Sequence, residues 1–262
     1  MQPQPDSPEK TFWAENHYLL RESVFTGADL ADLVAWTDEL AGWPEKPGHW
    51  MKYFERADRD ERQLCRIENF LEHHRGLREL ILGPATLEMV GALMGEPAIL
   101  FKEKLNYKLP GGSGFLAHQD APAFASFGQN YHITMLVTVD PMTTRNGCLE
   151  VSDPVDGQEL LAQEADGTVS RAIEAERNWY PLELPAGSVL FFDSYIPHRS
   201  AANGSESPRR ALYITYNRSR EGDRRAAYYE NKRAVFPPEC EREAGVDYGA
   251  KSGPFNLGNP IR

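Results

Sequence analysis

The chain has 262 residues, 41% hydrophobic and 26% charged, with 28 Lys and Arg against 39 Asp and Glu for a formal charge of −11. That composition is ordinary for a water-soluble globular protein, and the acidic balance excludes duplex nucleic acid and anionic membranes as expected partners, since both need a positive field. No apolar run approaches the roughly 20 residues of a spanning helix, so neither membrane nor nucleic acid is an expected partner; composition leaves the oligomeric state open. The opening MQPQPDSPEK lacks the basic start and apolar stretch of a signal peptide. Cys65, Cys148 and Cys240 are widely spaced and form neither a CxxC pair nor a disulfide framework, so a reducing cytoplasmic setting is expected.

From Phe25, FTGADLADLVAWTDELAGWP places Leu30, Leu33, Val34, Trp36 and Leu40 mostly three or four apart. This predicts a helix with Thr26 as N-cap, closed by Gly42 and Pro44. The polar, Pro-containing stretch over 43–63 reads as a loop. A second helix is predicted from about Ile67 to Leu82, and a third from Pro84 to the Gly95-Glu96-Pro97 stop.

From Ala98 the texture changes. AILFKEKLNYKL, YHITMLVTVD, GSVLFFDSYIPH and RRALYITYNRS are rich in β-branched and aromatic residues and bounded by Gly, Pro or Asn, as strands are. Strands without regularly interleaved helices predict an antiparallel sandwich or barrel. Residues 157–179 read as a charged excursion with a helical turn around RAIEAER, and the stretch from Arg218 as mixed charge ending in Gly/Pro-rich coil. The expected organisation is one domain over 1–262: helical support over 1–97, a barrel core over 98–217 and an extension over 218–262.

The chemistry centres on His118-Gln119-Asp120, which follows the glycine-rich turn 110–114. Residues two apart on an extended chain share a face, so an imidazole and a carboxylate can converge on one cation. Alone, that pattern also fits a polar strand end. His198, in IPHRS, changes the weighing: two histidines and one carboxylate with open positions form the facial triad of non-haem Fe(II) oxygenases. Zinc is the competing metal, but no HExxH helix is present. Arg209, eleven residues after His198, has the donor fork that suits a carboxylate. Its neighbour Arg210 takes that role if the register slips by one. Ser200, two after His198, shares a face with it.

Lys102, Lys104, Asn106 and Lys108 alternate along one strand. They line the interior as receptors for an anion, or else mark a solvated edge strand blunted by lysines. Phe124, Phe127 and Tyr131 form a pocket wall or simple packing. His49, His73 and His74 read as surface or satisfied core histidines. Arg218, Arg220, Arg224 and Arg225, interspersed with Glu221 and Asp223, read as a salt-bridged surface.

His118, Asp120, Pro197-His198-Arg199-Ser200, Asn203, Ser205 and Arg209-Arg210-Ala211-Leu212, preceded by NGCLEV at 146–151 and LPAGSVLFFD at 184–193, resemble the phytanoyl-CoA hydroxylase family of Fe(II)/2-oxoglutarate dioxygenases. The likeness spans roughly residues 25–217. It implies a double-stranded β-helix, a cupin-like jelly-roll barrel, mainly β with N-terminal helices. It implies that His118, Asp120 and His198 hold iron at the catalytic centre and that Arg209 with Ser200 binds the distal carboxylate of 2-oxoglutarate. Lys108 and Thr134 are further candidate contacts to that co-substrate; for Thr134, a satisfied core hydroxyl is the alternative. The implied reaction hydroxylates an aliphatic C–H bond of a small molecule, consuming O2 and 2-oxoglutarate and releasing succinate and CO2. Related halogenases replace the metal-binding carboxylate with a small residue, so Asp120 points to hydroxylation.

Many relatives continue after NGCLEV with a Pro-Gly-Ser-His turn. This chain has SDPVDGQELLAQ, so a relative's substrate does not transfer directly. HQDAPAF and YNRSREGDRR are most similar to bacterial members acting on small polar metabolites, aminophosphonate hydroxylases among them. Two other classes remain as alternatives: a zinc hydrolase on a similar barrel, and a non-catalytic cupin-like binding protein.

Overall fold

A computed structural model describes residues 8–56, 62–248 and 261. The N-terminal heptapeptide and the Gly/Pro-rich coil over 249–260 lie outside the described residues. In chain order the elements are α1 (Pro8–Asn16), β1 (Tyr18–Arg21), α2 (Gly27–Gly42), β2 (Met51–Arg56), β3 (Arg62–Glu68), α3 (Arg75–Leu82), α4 (Pro84–Met94), β4 (Ala98–Lys108) and β5 (Phe115–His118). They continue with α5 (Ala121–Phe124), β6 (His132–Thr138), β7 (Leu149–Ser152), α6 (Arg171–Glu176), β8 (Trp179–Leu182), β9 (Val189–Asp193), β10 (His198–Ser200), β11 (Arg209–Arg218) and α7 (Arg225–Val235).

The strands form two antiparallel sheets, one in the order β1-β9-β6-β11-β4-β3-β2 and the other β5-β10-β7-β8. This is the expected jelly roll. The central strands read as continuous apolar runs because both their faces are covered. Ile133, Met135 and Val137 of β6 and Leu212, Ile214 and Tyr216 of β11 pack with Leu33, Leu40, Leu77, Ile81 and Val90 of the helices. The alternate residues, Leu136, Leu190, Phe192, Ala211 and Tyr213, face inward and meet Leu149 and Val151 of the small sheet.

Two helices fall where the periodicity predicts them. Thr26 occupies the N-cap position of α2, although its side chain makes no capping bond. α4 stops at Gly95, whose left-handed φ of 78° suits glycine.

Three stretches differ from expectation. The predicted loop over 43–63 contains β2, and the first part of the helix predicted from Ile67 belongs to β3. These two strands pair as a hairpin and extend the large sheet beyond β4. Their charged residues disguise them, because those charges are buried and partnered across the fold. Lys52 donates to the carbonyls of Ala41 and Trp43 at 2.8 and 2.7 Å. Glu68 binds Lys232 at 2.5 Å and Arg66 at 3.3 Å. The helix starts at Arg75, N-capped by His74, whose Nδ1 accepts from the Leu77 amide. The third difference is α7, within the stretch read as mixed charge; it buries Tyr228, Tyr229 and Lys232. Lys232→Met leaves the fully buried Glu68 carboxylate with Arg66 alone. The expected cost is about 3 kcal/mol, read as a lowered urea midpoint with an unchanged slope.

Candidate active site

β5 and β10 run antiparallel in the small sheet, and their register sets His198 directly opposite His118. Their ring centroids are 4.3 Å apart. Asp120 follows β5 and starts α5, which brings its Oδ1 to 3.9 Å from His118 Nε2. One ligand atom from each of His118, Asp120 and His198 lies within 4.8 Å of the others, and all three residues are buried.

The imidazoles are aimed by their backbones. Nδ1 of His118 donates to the Leu116 carbonyl at 2.7 Å, and Nδ1 of His198 to the Ile196 carbonyl at 3.1 Å. A carbonyl only accepts, so the proton sits on Nδ1 and each Nε2 lone pair faces the centre. Burial and the neighbouring His198 push His118 down to about 3, and burial lowers His198 as well. Burial works to raise the Asp120 carboxyl, but His198, Lys104 and Lys102 outweigh it and hold it well below the usual carboxylate range. Two neutral imidazoles and one carboxylate are the donor set a hard-to-borderline divalent ion needs.

The surrounding chain holds this arrangement in place. The Gln119 amide donates to the carbonyls of Tyr195 and Glu159, and its oxygen accepts from the Leu161 amide. It thereby stitches the 157–179 excursion beside the triad. Oδ1 of Asp193 accepts from the amides of Tyr195 and Ile196 at 2.9 and 3.0 Å, shaping the turn that delivers His198. Asp193 Oδ2 is 2.7 Å from His17 Nδ1. Sequence reading missed both roles; the Asp-Ser before the apolar turn was the available signal.

Two family-like motif residues outside the triad, Gly147 and Asn203, are architectural. Gly147 has φ 71° and lies against the Ala201 carbonyl with no room for a Cβ. Asn203 donates to the carbonyls of Lys108 and Ser207 and accepts from the Ser205 amide and hydroxyl, tying the end of β4 to the β10–β11 connection.

Arg209 opens β11 facing inward and is 1% exposed. Its Nη1 has only long contacts, 3.4 Å to the Tyr213 hydroxyl and 3.9 Å to Met142 Sδ, while Nε and Nη2 have no partner. Arg210 faces out and pairs with Asp140 and Asp38, which settles the register between them. Lys108 pairs with Arg209 in the β4–β11 ladder. Its Nζ donates to Ser200 Oγ at 2.8 Å, to the Gly147 carbonyl at 3.2 Å and to the Ala201 carbonyl. Burial and Arg209 push Lys108 down to about 6. Because Ser200 Oγ accepts from Lys108, its own O–H is left to donate. Arg209 and Ser200 thus present unused donors in a sealed interior, a costly arrangement that an anionic group relieves.

Thr134 lies on the inner face of β6, where its hydroxyl shares a 3.0 Å hydrogen bond with that of Thr215. His132 bonds the Gln129 amide oxygen, and His49 and His73 stack on each other. Phe124 and Phe127 pack on Phe101, and Tyr131 stacks under the Arg218 guanidinium. Arg218 and Arg220 pair with Glu96, and Arg225 pairs with the buried Glu103.

A family model described as phytanoyl-CoA dioxygenase matches residues 13–211. The chain belongs to the phytanoyl-CoA dioxygenase family. It is 49% identical over 255 residues to a 2-aminoethylphosphonate dioxygenase from an uncultured bacterium, covering 97% of each chain. It is 41% identical over 224 residues to a methylphosphonate hydroxylase from Gimesia maris, covering 86% of this chain and 85% of that one. Among solved structures, EctD from S. alaskensis with 2-oxoglutarate and 5-hydroxyectoine superposes with a TM-score of 0.68 at 17% identity, covering 82% of this chain and 77% of that one. The carbocyclase SnoK from nogalamycin biosynthesis gives 0.65 at 21% identity, covering 84% and 87%. At those identities the likeness concerns the fold.

This phytanoyl-CoA dioxygenase family member is an Fe(II)- and 2-oxoglutarate-dependent dioxygenase that hydroxylates a small molecule, consuming O2. The zinc-hydrolase and non-catalytic alternatives fall away with that membership. Among the described residues, no helix is long and apolar enough to cross a membrane.

The His17–Asp193 pair gives a pH test of the turn behind His198. Hydrogen bonding to Asp193 outweighs burial and holds His17 above its ordinary value. Its contribution is therefore fully present below pH ~6.5 and is lost as pH rises through the raised folded value. In urea unfolding, His17→Gln is expected to be most destabilising near pH ~5.5 and close to neutral near pH ~9.

Proposed function

We propose that this dioxygenase hydroxylates an aliphatic carbon of a small aminophosphonate. In this reading His118, Asp120 and His198 hold the iron, Arg209 and Ser200 seat the distal carboxylate of 2-oxoglutarate, Lys108 braces that seat, and Thr134 lines the wall beside it. The substrate class is supported by the names of the relatives at 49% and 41% identity. The observation that carries the co-substrate assignment is the Arg209 guanidinium, fully buried with Nε and Nη2 unpartnered.

The bound iron and 2-oxoglutarate supply the O2 chemistry, and the protein's part is binding, orientation and exclusion of water. Arg209 offers two parallel N–H donors to one carboxylate. Ser200 adds a third donor, and Lys108, by filling the Ser200 acceptor site, fixes the direction of that hydroxyl. Gln119 and Asp193 keep the triad's two connecting turns closed around the centre. We also read residues 1–262 as one domain. A cytoplasmic setting is supported by three free cysteines, two of them buried.

A succinate-release screen over carboxylates, acyl-CoAs, amino acids and phosphonates, with Fe(II) supplied, tests the assignment. Coupled release is expected with 2-aminoethylphosphonate and none with acyl-CoAs; the reverse pattern overturns the substrate class. Asp120→Ala is expected to abolish release. Arg209→Met is expected to raise the KM for 2-oxoglutarate at least about ten-fold, a loss of ~1.4 kcal/mol, without lowering the stability of the ligand-free protein. Arg210→Met is expected to leave that KM unchanged, and equal effects from both variants overturn the role of Arg209.

A further inference from the structure

We propose that Lys102 and Lys104 form a second anion seat inside the barrel, which receives the phosphonate group of the substrate. The inference rests on the aminophosphonate reading above and adds the residues that recognise that group.

β4 lies between β11 and β3, so it is not the solvated edge strand that its lysines also allowed. Its register sets Lys102 opposite Thr215 and Lys104 opposite Tyr213, on the inward face of β11. Lys102 is 7% exposed and Lys104 is half-buried. Neither ammonium group has a hydrogen bond or ion pair among the described residues. Each instead lies over an aromatic ring: Lys102 Nζ is 4.3 Å from the Phe124 ring centroid, and Lys104 Nζ is 5.1 Å from that of Tyr213. An aromatic face compensates a buried ammonium only in part.

The nearby carboxylates pair with neither lysine among the described residues. Asp120 belongs to the triad, and Glu68 binds Lys232 and Arg66 through Oε1, while its Oε2 makes no hydrogen bond. Arg66 also bonds Asn106, the next inward residue of β4. The lysines therefore await an anion from outside the chain, and burial holds both below the ordinary lysine value.

Position distinguishes this seat from the one for 2-oxoglutarate. Lys108, beside Arg209, lies four and six residues further along β4, roughly 13 and 20 Å at the rise of a strand. The two cationic stations therefore suit two different anionic groups. The second station is beside the reaction centre, since Phe124 lies in the short helix that Asp120 begins and the Asp120 carboxylate senses both lysine charges. A group held there belongs to the molecule being oxidised.

The chemistry of the pair matches a phosphonate better than a carboxylate. Two ammonium groups supply two positive charges and several freely rotating donors, which suit a tetrahedral dianion, whereas the planar fork at Arg209 suits a planar carboxylate.

Steady-state kinetics together with 31P line broadening of 2-aminoethylphosphonate by the Mn(II)-loaded, 2-oxoglutarate-bound protein test the seat. Lys102→Met and Lys104→Met are each expected to raise the phosphonate KM at least about ten-fold and to remove the broadening. The KM for 2-oxoglutarate should stay within about two-fold, which also certifies that the variants fold. Lys104→Arg keeps the charge and should restore most of the binding. Inorganic phosphate should compete with the phosphonate and not with 2-oxoglutarate. If the parent protein turns over phosphonates and both Met variants keep its KM and its broadening, the seat is wrong and the substrate class stands. If 2-oxoglutarate binding fails instead, the lysines belong to the co-substrate and the seat is overturned. If the parent protein neither binds nor oxidises any phosphonate, the substrate reading falls and the seat falls with it.

Discussion

The inner face of this barrel holds basic side chains that its own carboxylates do not pair with, Arg209 above all, and the rest of the site is arranged around that imbalance. Arg209, Lys108, Lys102 and Lys104 all face inward, while the carboxylates nearest the lysine pair, Asp120 and Glu68, already have partners. Folding alone gives no reason to bury an unpartnered guanidinium, because desolvation costs several kcal/mol per ion. The arrangement makes sense when anionic ligands complete it.

The two-sheet architecture makes such an interior possible. The large sheet is insulated on its outer face by the helices and presents alternate residues inward, so one strand supplies both a helix-packing face and a row of cationic side chains. The small sheet supplies the metal-binding side by pairing His118 with His198. Close backbone approach at Gly147 and the hydrogen bonds of Asn203 fasten the connection that carries Ser200 and leads to Arg209. The family-like motifs therefore divide into ligands and fasteners. A fastener can look as distinctive in sequence as a ligand, since a backbone position that admits only glycine is as restrictive as a metal.

Much of the architecture was legible. The helices over Gly27–Gly42 and Pro84–Met94 follow from spacing and stop signals, and the strands from Ala98 onward follow from β-branched and aromatic runs between turn residues. β2, β3 and α7 were not legible. Lys52, Arg66, Glu68 and Lys232 sit inside because each meets a partner distant in sequence, and such pairing leaves no periodic signature. For the same reason Glu103 looks like a surface residue until Arg225 and Tyr229 close over it.

By itself, the sequence determined the triad and the class of chemistry. His118, Asp120 and His198 are ligand types whose local spacing and flanking turns are themselves the signal. Only the tertiary structure decided the register that turns Arg209 inward and Arg210 outward, and the place of β4 within the sheet rather than at its edge. Side-chain direction in a strand reverses with every residue and depends on which strands lie alongside. That is a property of the assembled sheets, and no local stretch of chain contains it.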